Sequence, residues 1–398
     1  MPNASPSATL AGAATHPGSA ISILILAIAA FVIVTTEYLI VGLLPALSRD
    51  MGISISAAGQ LVTLFAFTVM LFGPPLTAAL SHLDRKKLFV AILVVFALSN
   101  ALAALAPNIW VLALARFIPA LALPVFWGTA SETAGQLAGP KHAGQAVSRV
   151  YLGISAALLF GIPLGTVAAN SIGWRNSFWM LAALSLLMAA ALWMLMPAVA
   201  RSPRLNFKEQ ARLFKEPYFL GNVVLSVIVF TAMFTAYTYL ADILERLAGI
   251  APANVGWWLM GFGAIGLVGN WLGGKAVDRA PLKATAGFAA LLGIGMALSV
   301  PTIHATFIFC GVLAVWGIAY TALFPVCQVR VMNSATHSQA LAGTTNVSAA
   351  NAGIGIGAVL GGVVIPTLGL DKIGYISAAI ALLAVLAAPI VARLKPTA

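Results

Sequence analysis

The stretch ISILILAIAAFVIVTTEYLIVGLLPAL, Ile21 to Leu47, decides the fold. It stays apolar for longer than the about 20 residues that carry a helix across a bilayer. One ionisable side chain, Glu37, sits inside it. A carboxylate in hydrocarbon costs at least a few kcal/mol, so Glu37 is a functional-site candidate from the outset.

The rest of the chain has the same character. Of 398 residues, 61% are hydrophobic and 8% charged, too few charges to cover a water-facing surface. The apolar residues fall into successive blocks divided by short clusters of Gly, Pro and charge. These blocks predict an all-α polytopic membrane protein with twelve transmembrane helices in two pseudo-symmetric six-helix bundles. The expected spans are 20–46, 57–80, 88–106, 109–137, 148–172, 174–197, 217–245, 253–276, 283–303, 304–333, 340–366 and 371–394.

Several function classes drop out. The net charge of +11 would suit nucleic acid only if the bases formed one patch, and they are scattered among short loops. His16, His82, His142, His304 and His337 are dispersed without metal-ligand spacing, so no metal site is expected. No GxxxxGK[ST] phosphate loop and no catalytic constellation is present, which argues against ATP drive, an enzyme or a cofactor. Cys310 and Cys327 share one predicted helix, too far apart to bridge, and read as packing residues.

Loop charge predicts the topology. Arg85, Lys86, Lys87, Lys141, Arg149, Arg201, Arg204, Lys208, Arg212, Lys215, Lys275, Arg279, Lys283, Arg330, Arg393 and Lys395 fall on one side. Arg49, Arg175, Arg246 and Lys372 fall on the other, which places both termini in the cytoplasm. Residues 1–19 read as a disordered cytoplasmic tail before an uncleaved first span, and 20–197 and 217–398 as the two bundles. The linker 198–216 is either an amphipathic surface helix around FKEQARLF or a solvated connection. Duplication shows in ALPVFW and LFPVCQ, in GIPLGTV and VLGGVV, and in SHLDRKK and GKAVDRAPLK, each pair about 200 residues apart.

This organisation resembles the major facilitator superfamily. TTEYLIVGLLP in the first span, LALARF in the fourth and YLGISAALLFGIPLGTVAANSIGWR in the fifth are similar to its drug/proton antiporter group, especially the bacterial sugar-efflux and purine-nucleoside-efflux branches. The resemblance implies a proton-driven exporter in a bacterial inner membrane, monomeric, with a small-molecule substrate, protons and the lipid bilayer as its partners. Solute uptake by the same fold, or a receptor without transport, are the alternatives.

Glu37 lies roughly 12 Å below the outer end of its helix, and Arg116 roughly 9 Å in from the outer end of the fourth, at 1.5 Å per residue. Two charges at similar depth are tolerable if paired or wet, and a carboxylate balanced between desolvation and a nearby cation can load and release a proton. A static ion pair is the other reading. The resemblance puts an acidic residue and an arginine at these places in the antiporter group. Asp242 is either a second coupling or substrate-binding carboxylate or a solvated helix-end charge beside Glu245 and Arg246. Tyr237 and Tyr239 read as cavity-lining residues or as an interfacial belt.

The candidate substrate-binding residues are Tyr38, Trp127, Tyr237, Trp316, Tyr320, Asn346 and Asn351. The aromatics offer stacking faces, and the amides, with Thr345, give the eleventh span a polarity that lipid does not tolerate cheaply. By resemblance Glu132 latches onto Arg85 or His82 at the inner loop. The superfamily's inner-loop pattern is intact in Gly274, Asp278 and Arg279, whereas its first copy carries Thr77 and Ser81 in place of Gly and Asp. Gly161, Pro163 and Gly165, with Gly153, make the fifth span a close-packing, bendable helix, the antiporter motif by resemblance.

Overall fold

Hydrocarbon offers no partner to a free N–H or C=O, so each apolar block must close its hydrogen bonds within itself. Our structure, a computed structural model, describes residues 17–80, 82–139, 143–197, 199, 211–335 and 339–395. Twelve of its helices are long and apolar enough to span a membrane. They are α1 (Ala20–Met51), α2 (Ile55–Leu80), α3 (Arg85–Ala104), α4 (Ile109–Ala138), α5 (Arg149–Ile172) and α6 (Trp174–Leu195). The second set is α7 (Pro217–Leu247), α8 (Pro252–Val277), α9 (Pro281–Ser299), α10 (Thr306–Ser334), α11 (Leu341–Leu368) and α12 (Leu370–Arg393). No strand occurs among the described residues.

The element ends follow local chemistry. α3 starts at Arg85, earlier than expected, because the Asp84 side chain accepts the Lys87 N–H at 3.0 Å and caps the helix. α9 stops at Ser299, short of residue 303, where a turn precedes α10. α1 is helical back to Pro17, inside the stretch expected to be disordered, and residues 1–16 lie outside the described residues. Of the linker, residues 198 and 200–210 also lie outside them, and Ala211–Lys215 forms a 3₁₀ turn.

Packing follows one pattern twice. α1 packs on α5, α2 on α4 and α3 on α6, and six helices later α7 packs on α11, α8 on α10 and α9 on α12. Between the sets, α5 packs on α8 and α2 on α11, pairs that exchange under the same shift. α1 and α5 run parallel with backbones nearly touching. A Cβ on Gly153 would lie 2.3 Å from the Ala27 carbonyl oxygen, and one on Gly161 would lie 2.0 Å from Thr35 Oγ1. A Cβ on Gly165 would meet Leu39, so the three glycines step along α1 in order. Just before Pro163, α5 widens into a π turn at Ala157–Gly161, and its contact with α8 begins there.

The sets close on each other at the end away from the basic loops. Arg49 of α1 pairs with Glu245 of α7, and Asn170 of α5 donates to the Pro252 carbonyl at 2.7 Å. α7 breaks at Thr238–Tyr239, and the Tyr239 hydroxyl donates to Ala358 O of α11 at 2.8 Å while its ring fills a slot beside Gly59 of α2. At mid-depth Thr63 of α2 donates to Gly355 O. Toward the basic end, the part of α5 before Ala157 has no comparable packing on α8.

Two arginines counted as loop charges are buried instead. Arg85 is 0% exposed, and its guanidinium meets Glu132 of α4 at 2.7 Å. Arg330 is 2% exposed and donates to Asn222 O and Oδ1 and to Ser226 Oγ of α7. Each had a partner on a neighbouring helix, which makes burial cheaper than snorkelling.

Gly161→Leu is expected to cost about 1–3 kcal/mol of stability by overpacking against Thr35. Gly274→Ala, where a Cβ meets nothing within 4 Å, should leave thermal unfolding in detergent unchanged or slightly raised.

Candidate functional site

Arg116 is brought to Glu37, but not to its carboxylate. The guanidinium, 2% exposed, donates to the main-chain carbonyl of Thr36 and to that of Glu37, the latter at 2.6 Å. It also lies over the Phe65 ring of α2, 4.5 Å from the centroid. One turn inside α3, Asn100 donates to Thr36 Oγ1 at 3.1 Å. Four helices of the first set thus meet at Thr36. Among the described residues no salt-bridge contact joins the guanidinium to the Glu37 carboxylate: helix carbonyls hold it while its charge still acts on Glu37.

The Glu37 side chain points elsewhere. Its neighbours on α1, Thr36 and Tyr38, are buried, while Glu37 itself is only half-buried although it lies in the middle of the span. It therefore borders a space large enough for water. Tyr38 and Tyr320 of α10 share its electrostatic neighbourhood, and Tyr237 of α7 is next to both of these tyrosines. Tyr237 and Tyr320 stack with ring centroids 4.3 Å apart. Phe234 sits 5.9 Å from Tyr38 and 5.8 Å from Tyr320, and Phe262 of α8 joins Tyr237, Tyr320 and Trp316. Among the described residues, the buried Trp316 Nε1 has no hydrogen-bond partner. One carboxylate from the first set thus faces an aromatic wall from the second.

The other candidates separate from this centre. Trp127 packs on Phe126 and Tyr151, between α4 and α5, eleven residues along α4 from Arg116. Asn346 donates to Gln328 Oε1 at 2.6 Å, joining α11 to α10, and Asn351 donates within its own helix to Val347 O. The Oδ1 atoms of both are buried and unpartnered.

Asp242 is 0% exposed, which overturns its reading as a solvated helix-end charge. Its Oδ2 accepts from Arg246 at 3.3 Å, and Oδ1 has no partner. Glu245 is taken by Arg49 across the seam. Tyr239 neither lines the cavity nor forms a belt, since it is the wedge between α2 and α11. Glu132 is bound by Arg85, not by His82, whose Nδ1 has no partner. Thr77, in place of the pattern's Gly, fills the notch at Gly128 of α4. Gly274 faces open space, Arg279 is exposed, and Ser81, His16, His142, His337 and the Asp278 side chain lie outside the described residues.

Sequence reading missed Asn100, Phe65, Gln328 and the Arg330 cluster. Asn100 carried a usable signal, a lone amide in an apolar run.

A family model described as Major Facilitator Superfamily matches residues 26–350. The chain belongs to the major facilitator superfamily. The inner membrane transport protein YdhP of Escherichia coli (strain K12) is 34% identical over 377 residues, spanning 94% of this chain and 96% of that protein. A probable sugar efflux transporter of Helicobacter pylori (strain ATCC 700392 / 26695) is 29% identical, spanning 91% and 93%. Among solved structures, the inward-facing, unoccupied bacterial homolog of the human lysosomal transporter Spinster superposes with a TM-score of 0.79 at 17% identity, covering 95% of this chain and 98% of its own. The D-xylose-proton symporter gives 0.77 at 18% identity, covering 95% and 98%. These neighbours show the fold. This is a multi-pass membrane transporter of the superfamily.

Because Arg116 holds main chain and Glu37 holds no ion pair, the two should separate in stability. Arg116→Ala is expected to lower stability by about 3 kcal/mol, through loss of two charged hydrogen bonds from α4 to the α1 main chain and of the contact with the Phe65 ring. Glu37→Gln should stay within about 1 kcal/mol of the parent. Thermal unfolding in one detergent checks both, and equal losses would restore the ion pair.

Proposed function

We propose that this transporter exports a small polar or amphiphilic solute in exchange for protons, by alternating access of two six-helix units, 20–197 and 217–398. The observation that carries the reading is Glu37, a half-buried carboxylate at mid-membrane that lies near Tyr320 of α10 and, among the described residues, makes no salt-bridge contact. A carboxylate so placed changes the charge of the site when it takes a proton, and solute and proton can then compete for one position between the moving units. Arg116 is a positioning residue that fixes α1 so that the carboxylate points across the interface.

The positive-inside rule supports a cytoplasmic basic end and a bacterial inner-membrane location. Tyr237, Tyr320 and Trp316 supply ring faces and an indole N–H without a partner, a set that suits a hydroxyl-bearing ring. Relatives named as probable sugar efflux transporters support that class, with nucleosides and amphiphilic drugs as the other members of the set. Glu132 with Arg85 would brace the cytoplasmic end of the first unit, and Asp242, Glu245, Arg49 and Arg246 would form the outer gate.

In inverted vesicles loaded with the purified protein, a pH gradient should drive solute accumulation, and Glu37→Gln should abolish that drive while equilibrium solute exchange persists. Full pH-driven accumulation by the variant would contradict the assignment. Drive only in the opposite membrane orientation would make the protein an uptake carrier.

A further inference from the structure

A second recess lies away from the Glu37 centre. It is a groove of about 470 Å³ between α1 and the basic-end part of α5, bordered by Ile23, Leu24, Ile28, Phe31, Leu152 and Arg149. Its floor is closed where Gly153 meets the Ala27 carbonyl, and its rims are open, with Leu24 60% and Leu152 63% exposed. The wall is apolar for its whole length, and Arg149 is its one charged residue. Among the described residues Arg149, which is exposed, has no ion-pair partner.

The dimensions select an occupant. From Ala20 to Phe31 the groove follows α1 for about 17 Å at 1.5 Å per residue. One leaflet of a bilayer's hydrocarbon is about 15 Å deep, half of the about 30 Å core. Arg149 opens the apolar span of α5, whose helix runs back to Ala143, and headgroups lie at the boundary of such a span. A polar solute finds nothing to hydrogen-bond along the wall, and a cationic one meets Arg149. An acyl chain with an anion at its head fits both the length and the charge.

We propose that this groove binds an anionic phospholipid of the cytoplasmic leaflet, one acyl chain along α1 and the phosphate on Arg149. The proposal rests on the cytoplasmic orientation of the basic end and not on the role of Glu37. Below Ala157 α5 has no comparable packing on α8, and the groove's rims are exposed.

The test is native mass spectrometry of the full chain with phosphatidylglycerol and with phosphatidylcholine. Wild type should retain one phosphatidylglycerol in preference to phosphatidylcholine. Arg149→Gln should reduce phosphatidylglycerol retention about fivefold and remove the preference, the effect of one basic residue at an anionic surface. Ala27→Phe, which fills the groove, should reduce retention of both lipids. Melting temperatures in phosphatidylcholine nanodiscs verify that the variants fold. For an Ala27→Phe chain that does not fold, cross-linking of wild type by phosphatidylglycerol with a photoactivatable acyl chain replaces it, with label expected between residues 20 and 31. Equal retention of the two lipids by wild type, undiminished retention in Arg149→Gln, or label outside α1 and α5 would each overturn the proposal.

Discussion

Arg116 has no water around it, and the structure meets that demand with the main chain of α1 instead of with an acid. Helix carbonyls already engaged along the axis retain a second lone pair, and a guanidinium fork can take two neighbouring ones at once. The clamp has two effects. It ties α4 to α1, with Phe65 and Asn100 drawing α2 and α3 to the same turn. It also leaves the Glu37 carboxylate out of direct salt-bridge contact while keeping the Arg116 charge close to it. A carboxylate locked in a salt bridge would have little reason to change protonation; on the proposed reading, one that borders a space between the two units does.

Around that turn the fold uses close backbone approach wherever helices must share space. α5 lies on α1 through glycines and on α8 through its π turn, so one helix touches both sets where they meet. The opposite end is fastened differently, by a tyrosine wedged against glycines of α2 and α11 and by the Arg49–Glu245 pair. Packing of that kind is two-state by nature: a ring is either in its slot or out of it. Alternation between open ends needs such contacts at one end and their absence at the other.

Twelve helices were legible in the sequence because hydrocarbon forces every span to be a long apolar run, and length alone counts them. Glu37 and Arg116 were legible for the converse reason, as charges where none is cheap, and their matching depth followed from helical rise. Their relation was not. α1 and α4 are apolar on nearly every face, so periodicity gives no rotation about the helix axis, and rotation decides whether Arg116 meets a carboxylate or a carbonyl. The same ignorance hid the burial of Asp242, Arg85 and Arg330, each within a turn or two of a helix end where charge is ordinarily solvated. Tyr239 was unreadable because its place depends on a break in α7 and on glycines of two distant helices. The motif pairs on α4 and α10 and on α5 and α11 lie on helices whose packing the shift by six reproduces.

The central claim is that Glu37 titrates within the working cycle while Arg116 stays on the α1 main chain. Infrared difference spectroscopy of the reconstituted protein, stepped across the pH range that drives transport, reads it directly. The account predicts a protonated-carboxyl band that appears and disappears within that range and is missing in Glu37→Gln. A Glu37 carboxyl that holds one protonation state throughout would contradict it.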